Sequence, residues 1–273
     1  MTRQTLPGFH LTLGLSVFYL SFIALLPLLA LTFKAGEAGC KALLETLLDP
    51  RVLAAFRLSF GLSLLATFFS LTLGLITAWV LVRYDFPGKR WADAVVDLPF
   101  ALPTAVAGIA LTSLYAPQGW FGRYFEMVGI KVAYTPLGIF IALVFISLPF
   151  VIRTVQPVIR ELPHEIEEAA ATLGSRRTQT FIRIILPMLF PSLLIGGLMG
   201  FGRALGEYGS VVFIAGNLPF KTEIIPLLIV TKLEQYDYTS AAVLGAAMLL
   251  ASFLIMLCIN FVQQRHATFT FKN

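Results

Sequence analysis

Six stretches of this chain carry no charged side chain: residues 12–33, 58–82, 98–116, 132–152, 184–202 and 238–264. A helix needs about 20 apolar residues, at 1.5 Å rise each, to cross a hydrocarbon core roughly 30 Å thick. All six stretches reach or approach that length. Lipid offers no partner for backbone N–H and C=O groups, so segments this long and uniformly apolar read as helices. The pattern predicts an all-α integral membrane fold with spans at 12–33, 57–82, 94–116, 136–152, 188–214 and 240–262. Pro99 and Pro103 fall four apart in the third span. Each removes an N–H and disrupts the preceding turn. The result is either a plain kink or a broken helix of the kind that lines transport pathways.

An even number of spans puts both termini on one side, and Lys and Arg say which. With the termini cytoplasmic, segments 1–11, 83–93, 153–187 and 263–273 hold 11 basic residues in 68 positions. The outer segments 34–56, 117–135 and 215–239 hold 7 in 67. The sharpest contribution is Arg83, Lys89 and Arg90 in one eleven-residue loop, which fits the positive-inside rule.

Composition agrees. Hydrophobic residues make up 58% of the 273 and charged residues 13%, about half the share of a soluble domain. Mean hydropathy is +0.84. The net charge of +5 is scattered between apolar runs and forms no nucleic-acid stripe. Cys40 and Cys258 have no metal-ligand spacing. Ala38-Gly39-Cys40 has the look of a lipoprotein cleavage site, but Glu37 stands where an apolar residue is wanted. The preceding apolar run also exceeds the roughly 7–15 residues of a signal peptide, so the first segment reads as a retained span.

The longest charged segment lies between spans four and five. Residues 162–187 predict a helix–turn–helix elbow. Pro163 suits a first helical position, and Glu165, Glu167 and Glu168 favour the positive end of a helix dipole. Ala169, Ala170 and Ala171 are strong helix formers. Gly174 supplies a left-handed stop. Ser175 can cap a second helix, on which Phe181, Ile184 and Ile185 share a face. The first helix is too short to stand alone in water. Either its own bundle or a partner's groove must cover it.

The residues Glu168-Ala169-Ala170, then three residues before Gly174, nine more before Ile184 and one before Leu186-Pro187, match every fixed position of a known pattern. The segment resembles the EAA loop of bacterial ABC importer permeases. The resemblance implies a type I importer permease fold, with a coupling helix that docks on a separate ATPase. It assigns that contact to Glu168, Ala169, Ala170 and Gly174, with Ile184, Leu186 and Pro187 completing the motif. A narrower resemblance rests on residues 98–115, 202–217 and 222–238, which are similar to the sulfate/thiosulfate permease subunit of the T type. The related molybdate permeases share the Arg203-Ala-Leu-Gly-Glu207 segment, so molybdate or tungstate stays open. The resemblance implies two ATPase subunits holding ATP and Mg, a second related permease subunit and a periplasmic sulfate-binding protein. It also implies a bacterial inner-membrane location, with no cofactor in this chain. The corresponding division is a first span and outer loop over 1–56, a permease domain over 57–262 and a tail over 263–273.

Arg203 and Glu207 fall near the middle of the fifth expected span, where each centre-of-membrane charge costs about 2.5–3.5 kcal/mol on insertion scales. Four apart, they share a helix face and can pair. They read either as a self-neutralising pair that packs the bundle or as a pair lining the pathway. A guanidinium binds an oxyanion by donating two parallel hydrogen bonds to it. Gly202, Gly206 and Gly209 beside them permit close helix contact.

No GxxxxGK[ST] phosphate loop occurs, so an ATPase in this chain is excluded. An intramembrane hydrolase would need a nucleophile with its base inside the spans. His10, His164 and His266 all fall outside them, and no GxSxG occurs. A secondary transporter could use the broken helices but would have no use for an elbow offered to a partner.

Overall fold

The computed structural model describes residues 9–270. Residues 1–8 and 271–273, at the ends of the two expected tails, lie outside the described residues, as do the side chains of His10, Cys258 and His266. The described chain is helical. Five helical runs are long and apolar enough to cross a bilayer: Leu11–Gly36, Pro50–Arg83, Pro136–Glu161, Arg177–Leu205 and Tyr238–Leu257.

The first run joins α1 (Phe9–Leu20) to α2 (Leu26–Gly36) through a π turn at Ser21–Leu25. The fourth enters α12 (Leu186–Leu205) from α11 (Arg177–Thr180) through another π turn at Phe181–Ile185. Each π turn ends just before a Leu-Pro pair, Leu26-Pro27 and Leu186-Pro187. Proline cannot donate to the carbonyl four residues back, and a widened turn absorbs the missing bond.

Short α3 (Gly39–Leu48) leads into α4 (Pro50–Arg83), which starts seven residues earlier than the expected span because Asp49 caps it. The Asp49 carboxylate accepts from the Arg51 N–H at 2.7 Å. The expected third span, 94–116, is not one helix. It divides into α5 (Lys89–Val96), α6 (Leu98–Ala101) and α7 (Thr104–Tyr115). Leu102 is extended, with ψ 134°, because the residue before a proline is pushed out of the α region. Pro103 itself continues extended at ψ 133°. Of the two sequence readings, the broken helix is the one adopted.

After α8 (Gly122–Met127), α9 (Pro136–Glu161) runs nine residues beyond its expected end. It stops where Leu162 precedes Pro163. Next come α10 (Glu165–Thr172), α11 and α12, then α13 (Val211–Ala215), α14 (Ile225–Glu234) and α15 (Tyr238–Thr270). The fifth expected span, 188–214, therefore ends early at Leu205 and is broken before α13.

The centre of the bundle is α4, α9 and α12. In lipid, helices associate through close packing rather than through a hydrophobic difference. The face that α4 turns inward is correspondingly small: Ser59, Ser63, Ala66, Ser70, Gly74 and Ala78. A Cβ on Gly74 would stand 2.7 Å from Val151 Cγ1. Beside it the Ser70 and Ser147 hydroxyls share a buried hydrogen bond of 2.8 Å. Larger side chains from α9 and α12, Ile152, Val155, Ile159 and Leu189, fill the next layer. On the opposite flank, α2 rests on α15 through Ala35, Ala242 and Val243.

Candidate functional site

Two places collect the polar chemistry of the bundle. The first is the elbow. Helix α10 ends at Thr172 with Leu173 capping it, and Gly174 turns left-handed at φ +79°. The Ser175 N–H then reaches the Ala170 carbonyl at 3.0 Å, and the Gly174 N–H reaches Ala171 at 3.0 Å. These are the two bonds of a Schellman closure. Ser175 is used up in that closure, so the expected cap of the second helix is not its own. Arg176 occupies the cap position, and its N–H donates to Gln179 Oε1 at 3.1 Å. Pro163 likewise stands before the helix, with His164 at the cap.

Helical spacing sorts the motif residues. Ala170 is buried at 5% exposure. It packs on its own chain within the elbow. Glu168, Ala169 and Gly174 face outward. Leu173, which the sequence reading passed over, is outward too, at 87% exposure. Ile184 and Leu186 are half-buried and Pro187 exposed in the turn that enters α12, so these three join the elbow to the bundle and lie away from its tip.

Arg83 holds the elbow. Its guanidinium meets Glu167 at 3.1 Å, His164 Nε2 at 2.9 Å and the Leu162 carbonyl at 3.2 Å. It also stacks over Trp79 at 5.4 Å, and Trp79 meets Phe181 edge-on at 5.4 Å. One side chain from the end of α4 thus fixes both arms of the turn. The neighbouring segment is tied down in the same way. Arg153 of α9 donates to Asp97 through two bonds of 2.7 Å and to Asp93 at 2.7 Å, while Gln156 Nε2 donates to Asp93 at 3.1 Å. The Gln156 hydrogen bond first, then Arg153, hold the Asp93 carboxyl below the usual aspartate value.

The second place is the break between α12 and α13. Glu207 lies just past the end of α12 and is fully buried, while Arg203 is 34% exposed. The two pair, as expected from their spacing. Glu207 does more than neutralise Arg203. Its Oε1 accepts from the Ser210 N–H at 2.8 Å and from the Ser210 hydroxyl at 3.0 Å, which closes the non-helical turn. Helix α7 then presses on this turn. A Cβ on Gly209 would stand 2.1 Å from Thr104 Oγ1, and one on Gly108 would stand 2.5 Å from the Ser210 carbonyl oxygen. The broken third span and the broken fifth span therefore meet backbone to backbone beside the pair. Gly209 does permit close contact, as expected. Gly202 and Gly206 differ: they are exposed, and among the described residues no other helix comes within 4 Å of a Cβ built on either one. With Arg203 and the half-exposed Tyr208 they form an open face next to a cation.

At the far end of α4, Arg51 grips the buried Glu223 through two bonds of 2.7 Å. The Ile225 N–H donates to Ser59 Oγ at 2.8 Å. This clamp fastens the loop between α13 and α14.

Residues 70–270 match the family described as binding-protein-dependent transport system inner membrane component. The chain belongs to that family. It is 46% identical over 264 residues to the sulfate transport system permease protein CysT of Escherichia coli K12, covering 97% of this chain and 95% of that one. It is 48% identical over 249 residues to the protein of the same name from Synechocystis, covering 91% and 87%. Among solved structures, a bacterial ABC transporter that imports the acidic polysaccharide alginate superposes with a TM-score of 0.78 at 15% identity, over 94% of this chain and 95% of that one. An inward-facing MetNI methionine ABC transporter gives 0.60 at 16% identity, over 79% and 95%. At such identities the structures speak for the fold alone. The fold is that of type I ABC importer permeases.

Proposed function

We propose that this chain is one permease subunit of an ABC importer that carries sulfate or thiosulfate across the inner membrane. The observation that carries the reading is identity of 45–49% to sulfate transport permeases along nearly the whole chain. Around it stand a second, related permease, two ATPase subunits that bind ATP and Mg, and a periplasmic sulfate-binding protein. Both termini and the elbow face the cytoplasm.

The elbow geometry supports the ATPase part. A leucine 87% exposed at the tip of a short helix is placed to enter a hydrophobic cleft of a partner. Force applied there passes to α4 through Arg83 and to α12 through the π turn. The ATPases change the bundle only by binding its two states with different affinity. The break beside Arg203 supports a pathway role. Its open face offers a guanidinium to a passing oxyanion, and weak binding there lets the anion leave.

The test is reconstitution with the partner subunits. Uptake of labelled sulfate should be competed by thiosulfate and little affected by molybdate or tungstate. Stronger competition by molybdate would move the assignment to that anion. Uptake by the chain alone, without an ATPase, would move it to secondary transport. Leu173→Asp should leave the permease folded but lose co-purifying ATPase.

A further inference from the structure

An apolar groove of about 690 Å³ runs between α4 and α12, floored by Leu71, Leu75 and Trp79 and walled by Phe190 and Leu193. At its elbow end it passes Tyr84 and Phe181 into a second hollow of about 500 Å³. That hollow is polar on one side, where Glu167, Arg177, Thr178 and Thr180 line it. The groove follows α4 from Phe68 to Tyr84, sixteen residues or about 24 Å at 1.5 Å per residue. That length and the apolar lining suit a hydrocarbon chain. Trp79 and Tyr84 stand at its polar end, where aromatic side chains favour the membrane interface.

Charge selects the headgroup. Among the described residues Glu167 is the one carboxylate lining the hollow, and it forms an ion pair with Arg83 at 3.1 Å. Asp85, next to Tyr84, pairs with Lys89 at 2.9 Å. Among the described residues Arg177 pairs with no carboxylate, and its neighbour Arg176 is exposed. The hollow has a surplus positive charge and no free carboxylate for a choline or ethanolamine head.

We propose that this continuous groove binds an anionic glycerophospholipid, with its phosphate on Arg177 and one acyl chain along Leu75 and Leu71. The same lipid would touch Trp79 and Phe181, the ring pair behind Arg83, and so bridge the elbow to the bundle. Nothing in this proposal depends on which anion the protein carries.

The experiment measures lipid retained by the purified, assembled permease complex. The complex is taken up in nanodiscs of phosphatidylcholine carrying a tenth of spin-labelled phosphatidylglycerol, and in matched discs with the label on phosphatidylcholine. An immobilised phosphatidylglycerol component several-fold larger than the phosphatidylcholine one is expected. Arg177→Gln should remove that preference, and Arg177→Lys should keep most of it. Leu75→Trp should fill the groove and reduce immobilisation of both lipids. Equal immobilisation of the two lipids in the parent overturns the proposal, as does an unchanged preference in Arg177→Gln. A photo-crosslinker at Leu194, on the groove wall, should capture lipid; capture of a second permease chain there instead also overturns it.

Discussion

The pair at the end of α12 predicts an asymmetry that sequence spacing alone does not. The Glu207 side chain is 2% exposed and that of Arg203 is 34% exposed. Arg203→Met leaves a buried carboxylate without its cation. Breaking a buried pair in this way costs about 3–5 kcal/mol. Glu207 keeps two donors from Ser210, so the lower end, about 3 kcal/mol, is the expectation. Glu207→Gln leaves a guanidinium that is already one-third exposed, and the amide oxygen can still accept from Ser210. Its cost should resemble that of a surface pair, about 1 kcal/mol or less. The double variant Arg203→Met with Glu207→Gln removes both charges and should sit near the Glu207→Gln value. The difference of about 2 kcal/mol between the two single variants corresponds to roughly 4–8 °C in unfolding temperature for a chain of this size. Thermal unfolding of the detergent-solubilised protein reads it, with sulfate uptake in parallel. The double variant should fold and transport slowly, because the cation beside the pathway is gone. Equal destabilisation by the two single variants would refute the argument from burial. Full uptake by the double variant would leave the pair as packing only.

Gly174→Val should reduce transport and leave insertion normal. No atom lies within 4 Å of an added Cβ there, so the penalty comes from the left-handed backbone, about 1–2 kcal/mol, and Gly174→Asn should retain more uptake than Val. Gly108→Ala should cost about 1–3 kcal/mol by overpacking and lower the yield of folded protein, whereas Gly202→Ala, which meets nothing among the described residues, should leave the yield unchanged. Because the Asp93 carboxyl is held below its ordinary value, its contribution to docking α5 on α9 is complete above about pH 4 and is lost as pH falls through the lowered value; a spin-label distance between α5 and α9 should be constant from pH 5 to 8. Cysteines at positions 89 and 176 should label only from the cytoplasmic side.

Uniform hydrophobic runs were enough to locate the bundle helices, because length and apolarity are all that spanning requires. They were not enough to show where helices break. The apolar stretch 98–116 reads as one span, yet Leu102-Pro103 forces an extended step, and 188–214 hides the turn that Glu207 closes. The elbow was legible because Gly174 and the alanines have strong local preferences. Its orientation was not, since packing alone decides that Ala170 turns inward and Leu173 outward. Arg153 and Arg51 were equally out of reach. Their carboxylate partners lie 56 and 172 positions away, and local spacing gives no information about such pairs.

The most direct test of the account is ATP hydrolysis by the complete reconstituted complex, measured with the binding protein loaded with sulfate, thiosulfate, molybdate or tungstate in turn. Sulfate and thiosulfate should stimulate hydrolysis several-fold, and Leu173→Asp should abolish the stimulation. Stimulation by molybdate or tungstate alone would contradict the substrate assignment, and undiminished stimulation in Leu173→Asp would contradict coupling through the elbow.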